Sequence, residues 1–364
     1  MSASFGALKQ VEAGLLNVGY AEAGPADGPA VLLLHGWPYD IHSFAEATPV
    51  LAAAGYRVIV PFARGYGTTR FLSDGTVRNG QQAVLAVDVI ALMDALGINR
   101  AILGGFDWGG RSADIVAALW PDRCRGLVAV SGYLIGSQAA GAAPLPPAAE
   151  HAWWYQFYFA TERGRAGYDK YRREFGRLIW RLASPKWAFD DATFARTAAA
   201  FDNPDHVAIV IHNYRWRLGL AAGEAQYDDL EKQLAASPVI TVPTITLEGD
   251  ANGAPHPDPG TYKAKFSGKI HASGHIRRRR TQLAARGSAG FRCSRRRRRR
   301  LLTDTLKKGT PHGYDHYCRW HGNLLQGLGN RSAHRVQPRL AAVGRRLGHA
   351  DDVLSPARLS RHRP

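Results

Sequence analysis

The sequence predicts an α/β architecture: a mostly parallel central sheet with helices on both faces, plus an inserted helical cap. Three observations carry this. Short apolar runs alternate with helical patterns over the first 134 residues. An aromatic-rich helical stretch then interrupts that alternation, and a strand pattern returns in "VITVPTITLEGD" before the character of the chain changes. With 364 residues and 45% hydrophobic content, the chain is long enough for one large core and a smaller domain.

The elements follow in order. "AVLLLHG" and "YRVIVP" are short apolar runs suited to buried parallel strands. "QQAVLAVDVIALMDALG" has apolar residues at helical spacing, and Gly97 is available to close the helix. A strand at Ala101–Leu103 runs into "GGFDWGG", then a helix through "ADIVAALWP", then the strand "GLVAVSG". This βαβα order implies parallel pairing. After Tyr133 a small-residue linker leads into "HAWWYQFYFATERGRAGYDKYRREFGRLIW" and "DHVAIVIHNYRWRLGLA", which read as helices. The expected organisation is a core over residues 1–134, a cap over 135–238, the rest of the core over 239–269 and a basic tail over 270–364.

The formal net charge of +17 would suggest nucleic acid as a partner, but its distribution argues otherwise. Residues 1–270 hold 24 Lys and Arg against 26 Asp and Glu, whereas the remaining residues hold 23 against 4. The basicity is therefore confined to the tail, with its runs Arg277–Arg280 and Arg295–Arg300. Three cysteines give no disulfide framework, no apolar run is long enough to span a membrane, and the first residues do not read as a secretion signal. A cytoplasmic protein with a small-molecule partner is the expectation.

Chemistry concentrates at Gly105-Phe106-Asp107-Trp108-Gly109. A strand, a glycine-flanked turn and a helix form the setting in which a hydrolase displays a serine as G-x-S-x-G, but here the central residue is a carboxylate. "LLLHGWP" (His35–Pro38) follows an earlier strand, where an oxyanion loop belongs. "LEGD" ends a later one with Asp250, preserving the order nucleophile then acid. On these motifs, residues from about 10 to 268 resemble the α/β-hydrolases, in the branch with an aspartate nucleophile that contains epoxide hydrolases and haloalkane dehalogenases. The resemblance implies Asp107 as nucleophile, the backbone N–H groups of Trp37 and Trp108 as oxyanion hole, Asp250 as the acid orienting a histidine, and no metal or organic cofactor.

The carboxylate makes chemical sense. On an sp³ carbon a serine would leave an ether that water does not readily cleave, whereas a carboxylate leaves an ester. An epoxide oxygen then needs a proton donor as it departs, and a halide does not. Epoxide hydrolases of this branch use two lid tyrosines, one in a Tyr-Gln segment and one in an Asn-x-Tyr-Arg-like segment. "WWYQFYF" supplies Tyr155 and "IHNYRWR" supplies Tyr214, with Tyr158 read as part of an aromatic core stripe. Trp37 before the loop proline also matches epoxide hydrolases rather than dehalogenases, which leaves a haloalkane or haloacid dehalogenase as the alternative.

Other motifs carry less. "RGYGTT" (Arg64–Thr69) lacks the spacing and lysine of a phosphate loop, and Asp40 and His42 read as surface residues. His312, His316, Cys318 and His321 mimic a metal cluster only inside the aberrant tail. The histidine turn that the resemblance requires after the last strand is missing in frame. His275 is a superficial substitute, followed at once by arginines that suit a helix start poorly. Shifting the reading frame by one nucleotide lets "RTQLAARGSAGFRC" decode as "GHNLPQEAPQAFDA", which restores a Gly-His turn and its helix. The same frame turns "YDHYCRWHGNLLQGLGNRSAHRVQPRLAAVGRRL" into what looks like the start of a second hydrolase. Out-of-frame translation after about Lys269 is the reading that follows. Its rival, a basic nucleic-acid-binding arm on a hydrolase scaffold, explains the charge but not the lost end of the domain.

Overall fold

Strands β1 (Lys9–Ala13), β2 (Leu16–Ala23), β3 (Ala30–Leu34), β4 (Arg57–Pro61), β5 (Arg70–Phe71), β6 (Ala101–Gly105), β7 (Cys124–Val130), β8 (Thr244–Gly249) and β9 (Ile270–Ile276) form one sheet. Its order is β1-β2-β4-β3-β6-β7-β8-β9, with β5 beside β2. Pairing is antiparallel at the β1–β2–β4 edge and parallel from β4 to β9. The computed structural model describes residues 5–249, 251–254, 258–268 and, as backbone, 270–276. Asp250, the metal-like cluster at His312–His321 and the arginine runs lie outside the described residues.

The predicted strands are buried on both faces, as β3 and β4 illustrate: Val31–Leu33 and Val58–Val60 are all inaccessible to solvent. Helices α1 (Ala47–Ala53), α2 (Gln82–Ala95) and α3 (Asp107–Leu119) cover the sheet. Helix α2 buries most of its circumference, because β1, α3 and a later helix enclose it. It ends as expected at Gly97, whose φ of +65° lets the Ile98 N–H reach back to the Met93 carbonyl (2.7 Å).

Between β7 and β8 come α4 (Gln138–Ala142), α5 (Pro147–Ala152), α6 (Trp154–Ala160), α7 (Glu162–Ala183), α8 (Asp191–Ala198), α9 (His206–Arg217) and α10 (Asp228–Ala235). The last of these differs in its packing from the expected cap. Leu234 joins the core cluster beneath the sheet, and Glu231 accepts from the Ala83 N–H and from Gln82 at the start of α2 (3.0 Å each). The sheet also continues past residue 269. Ile270–Ile276 pair parallel with β8, so one strand of the segment assigned to the tail completes the sheet.

Buried hydrogen bonds fasten the cap to the core. The Trp180 indole donates to the Pro38 carbonyl (2.8 Å), and Thr197 Oγ1 donates to Asp40 Oδ1 (2.9 Å). Asp40 is therefore not the surface residue expected from sequence. It is 1% exposed and also holds His42, through its backbone N–H (3.0 Å) and through Nδ1 (2.7 Å).

A relay of side chains runs deeper. The Trp37 indole N–H has only a proton to offer, so it donates to Tyr168 Oη (2.8 Å). The Tyr168 hydroxyl then donates to His206 Nε2 (2.8 Å), and His206 Nδ1–H donates to the Gly65 carbonyl (2.9 Å). Burial, the largest influence, pushes the His206 pKa down to about 3.

Two measurements test this packing. A Cβ on Gly109 would lie 2.1 Å from the Leu34 carbonyl oxygen, so Gly109→Ala is expected to cost about 1–3 kcal/mol. An unchanged denaturation midpoint would contradict the close approach. His206 is neutral when folded, whereas in the unfolded chain it takes up a proton below its ordinary pKa of about 6.5. Its contribution to stability is therefore present above that pH and is lost as pH falls towards about 3. Between about pH 6 and 4, stability should fall by up to about 1.4 kcal/mol per pH unit more steeply than in His206→Gln. Equal slopes would show that His206 titrates normally in the fold.

Candidate active site

Asp107 is the first residue of α3 and takes φ +51°, a left-handed conformation that costs a non-glycine residue about 1–3 kcal/mol. The turn that forces it is tight on both sides. A Cβ on Gly105 would meet the Gly109 carbonyl oxygen at 2.5 Å, and a Cβ on Gly36 would meet Asp107 Oδ2 at 2.5 Å. Only glycines allow the β3 loop and the α3 turn to approach this closely.

The approach puts the backbone donors on the carboxylate. The Trp37 N–H donates to Asp107 Oδ2 (2.8 Å), and the Trp108 N–H also hydrogen-bonds the carboxylate. His35 braces the loop from behind, its Nε2 accepting from the Ala63 N–H (3.1 Å) and its Nδ1–H facing the Gly36 carbonyl (3.2 Å). The Trp37–Pro38 peptide is cis. Burial raises the Asp107 carboxyl above its ordinary pKa. The Arg111 guanidinium, the Trp108 and Trp37 N–H groups and the Arg217 guanidinium oppose that rise.

The cap brings both expected tyrosines to this spot. Tyr155 from α6 and Tyr214 from α9 pack edge to face with ring centroids 5.5 Å apart, and their hydroxyls are hydrogen-bonded. Both rings lie against Trp37, at 5.1 and 5.4 Å, and Tyr214 also lies 5.9 Å from the Trp108 ring. Burial first, and the Asp107 charge after it, push the Tyr155 phenol up; Tyr214 rises well above its ordinary value by burial and by the charges of Tyr155 and Asp107. Both phenols therefore keep their protons at neutral pH. Tyr158 stacks on Phe175 instead (11°, 6.0 Å), in keeping with an aromatic core role.

Asp250, expected to follow β8, lies outside the described residues, although β8 itself ends at Gly249. His275 falls within β9, opposite Glu248 in register, and not in a turn beyond the strand. Sequence reasoning missed Tyr168, His206, Arg111 and Arg217. A signal existed for the arginines: Arg111 stands four residues after Asp107, and Arg217 three after Tyr214, which places each on the same helix face as its neighbour. Among the described residues no cluster of His, Cys, Asp and Glu is arranged to hold a metal, and no helix is long and apolar enough to cross a membrane.

This chain resembles known proteins in three ways. Residues 29–175 match the family model of the alpha/beta hydrolase fold. The chain is 36% identical over 150 residues to epoxide hydrolase B of Mycobacterium tuberculosis, a match covering 38% of this chain and 41% of that one. It is 38% identical over 104 residues to an epoxide hydrolase of Caballeronia sordidicola, covering 29% and 31% respectively, so the matches span less than half the length of these curated relatives. Among solved structures, a Klebsiella pneumoniae protein provisionally named an epoxide hydrolase is 64% identical, with a TM-score of 0.72 over 74% of this chain and 88% of that one. Potato epoxide hydrolase I, at 20% identity and a TM-score of 0.58 over 74% and 91%, shares the fold. With its glycine-flanked aspartate turn, its helical cap and a 64% identical relative matched over most of its length, the chain belongs to the α/β-hydrolase family, among its epoxide hydrolase-like members.

Proposed function

We propose that the protein opens epoxides through a covalent ester on Asp107. The observation that carries this is the pair of protonated tyrosines, Tyr155 and Tyr214, packed over a carboxylate that the Trp37 and Trp108 N–H groups already hold. Oδ2 is engaged by Trp37, which leaves Oδ1 to attack the epoxide carbon. As the C–O bond forms, the ring C–O bond breaks, and the departing oxygen takes a proton from Tyr155 or Tyr214. The ester carbonyl is then left on the two backbone donors, where a later tetrahedral oxyanion would be stabilised. A halide leaving group would make no use of the phenols, and the Trp37 indole is unavailable to one because it donates to Tyr168.

Hydrolysis of the ester needs a base to activate water. In this reading Asp250 would orient a histidine, and no histidine turn follows the last strand in frame. Because Ile270–Ile276 still pair with β8, we infer that the chain is translated out of frame from about Arg277 rather than from Lys269, a reading supported by the change from balanced charge to 23 basic against 4 acidic residues beyond that point. Resequencing the gene should reveal Gly-His-Asn in the shifted frame across Arg280–Gln282. Third bases that forbid those codons would eliminate the idea.

The chain as it stands should therefore be trapped halfway. Incubation with a small epoxide should add the whole epoxide mass to the peptide containing Asp107, and Asp107→Asn should abolish the adduct. Tyr155→Phe or Tyr214→Phe should slow adduct formation by about 10²–10⁴-fold, while slowing attack on a bromoalkane far less. Equal losses on both substrates would remove the tyrosines as proton donors. Diol formed catalytically without an adduct would mean that a base is present after all.

A further inference from the structure

One helical turn along α3 from Asp107, Arg111 lines a cavity of about 400 Å³ together with Gln156, Trp216 and Arg217 among others. The two arginines connect it to the reacting groups. Their charges act on Asp107 and on Tyr155, and the Arg217 guanidinium sits 5.6 Å from the centre of the Tyr214 ring. Their own charges are poorly matched. Arg64, Arg78 and Arg215 are all ion-paired, but neither Arg111 nor Arg217 joins an ion pair among the described residues. Arg111 Nε donates to the Leu134 carbonyl (2.8 Å), while its buried Nη1 has no hydrogen-bond partner among the described residues.

Asp107 offsets part of this charge, but it forms no ion pair with either arginine among the described residues, and the other carboxyl groups nearby add little. Glu150, the one acidic residue among the described residues that line the cavity, accepts from the Leu145 N–H (2.6 Å). Asp114 is fully buried and accepts from the Leu134 N–H (2.7 Å), and burial keeps its carboxyl well above the ordinary range. Burial and the neighbouring Arg217 together press the Arg111 guanidinium down to about 10. Two partly buried guanidinium groups that repel one another, one with a buried Nη1 left unbonded, are eased by a bound anion.

The geometry points to Arg111 and Arg217 as the seat of a carboxylate on the substrate, making the preferred substrate a small epoxide that bears a carboxylate group. This rests on the epoxide reading above and narrows it to an anionic substrate class. A guanidinium fork matches a carboxylate in two parallel hydrogen bonds, and a second guanidinium would offset its repulsion from Asp107. Placement one helical turn from the nucleophile on α3, and one turn from a proton donor on α9, would fix the ring relative to both.

The test compares glycidate with its neutral, near-isosteric counterpart glycidamide on the full chain, following Asp107 adduct formation at low concentration by mass. Glycidate should react about tenfold or more faster, and Arg217→Gln should reduce that ratio by about tenfold or more. Arg111→Gln should do the same. If that variant does not fold, Arg217→Gln, at the half-buried end of α9, decides alone. Equal rates for the two epoxides, or a ratio unchanged in Arg217→Gln, would overturn the anionic seat while leaving epoxide opening intact. No adduct from either epoxide would overturn both.

Discussion

The structure depends on one close approach, that of the loop after β3 to the turn between β6 and α3. Gly36, Gly105 and Gly109 have no side chains there, so Asp107 can take its left-handed conformation with its carboxylate on the Trp37 N–H. The strain is local, and the surrounding sheet over-determines it. β3 and β6 are adjacent parallel strands in register from Val31–Ile102 to Leu34–Gly105, so the two loops leave the same end of the sheet side by side. A β-strand framework thereby fixes two backbone donors and a carboxylate without any flexible side chain having to find its place.

The cap works by the same logic, but through side chains. Trp37 is shared: its backbone N–H holds the Asp107 carboxylate, and its indole belongs to the Tyr168–His206 relay beneath the cap. Its ring also contacts both Tyr155 and Tyr214. A shift of the cap would therefore be felt at the Trp37 N–H, and an altered loop would be felt at Tyr155 and Tyr214. The relay is fully satisfied and directional, which suits a buried polar network that must hold one arrangement.

Electrostatics at the site are a balance of burial against charge. Burial favours the neutral form of every group, which keeps the tyrosines protonated and opposes ionisation of Asp107. On Asp107 the Arg111 and Arg217 charges and the two backbone N–H groups act in the opposite direction; the arginines also pull against burial at Tyr155, without the backbone donors. Neighbouring groups are thus driven to different protonation states, protonated phenols above an ionisable carboxyl, by which partners each one meets.

Much of this was legible in the sequence, because it is local. Strand runs, the glycine-flanked turn, the helical aromatic insertion and Gly97 as a helix end follow from spacing and backbone preference, and the structure places Tyr155 and Tyr214 together as the motifs implied. Other features needed the tertiary fold. Asp40 looked like a loop residue, but Thr197, which buries it, is 157 positions away. Tyr168 and His206 carry no pattern of their own, since their partners lie on the loop after β3 and at Gly65. Helical spacing put Arg111 behind Asp107, and Arg217 behind Tyr214, yet only the packing of α9 towards α3 could bring the two charges to one cavity. Sequence determines which elements form and which face each residue takes, because those are set within a few residues. Which faces meet, and therefore which charges are left without a partner, is decided by long-range packing alone.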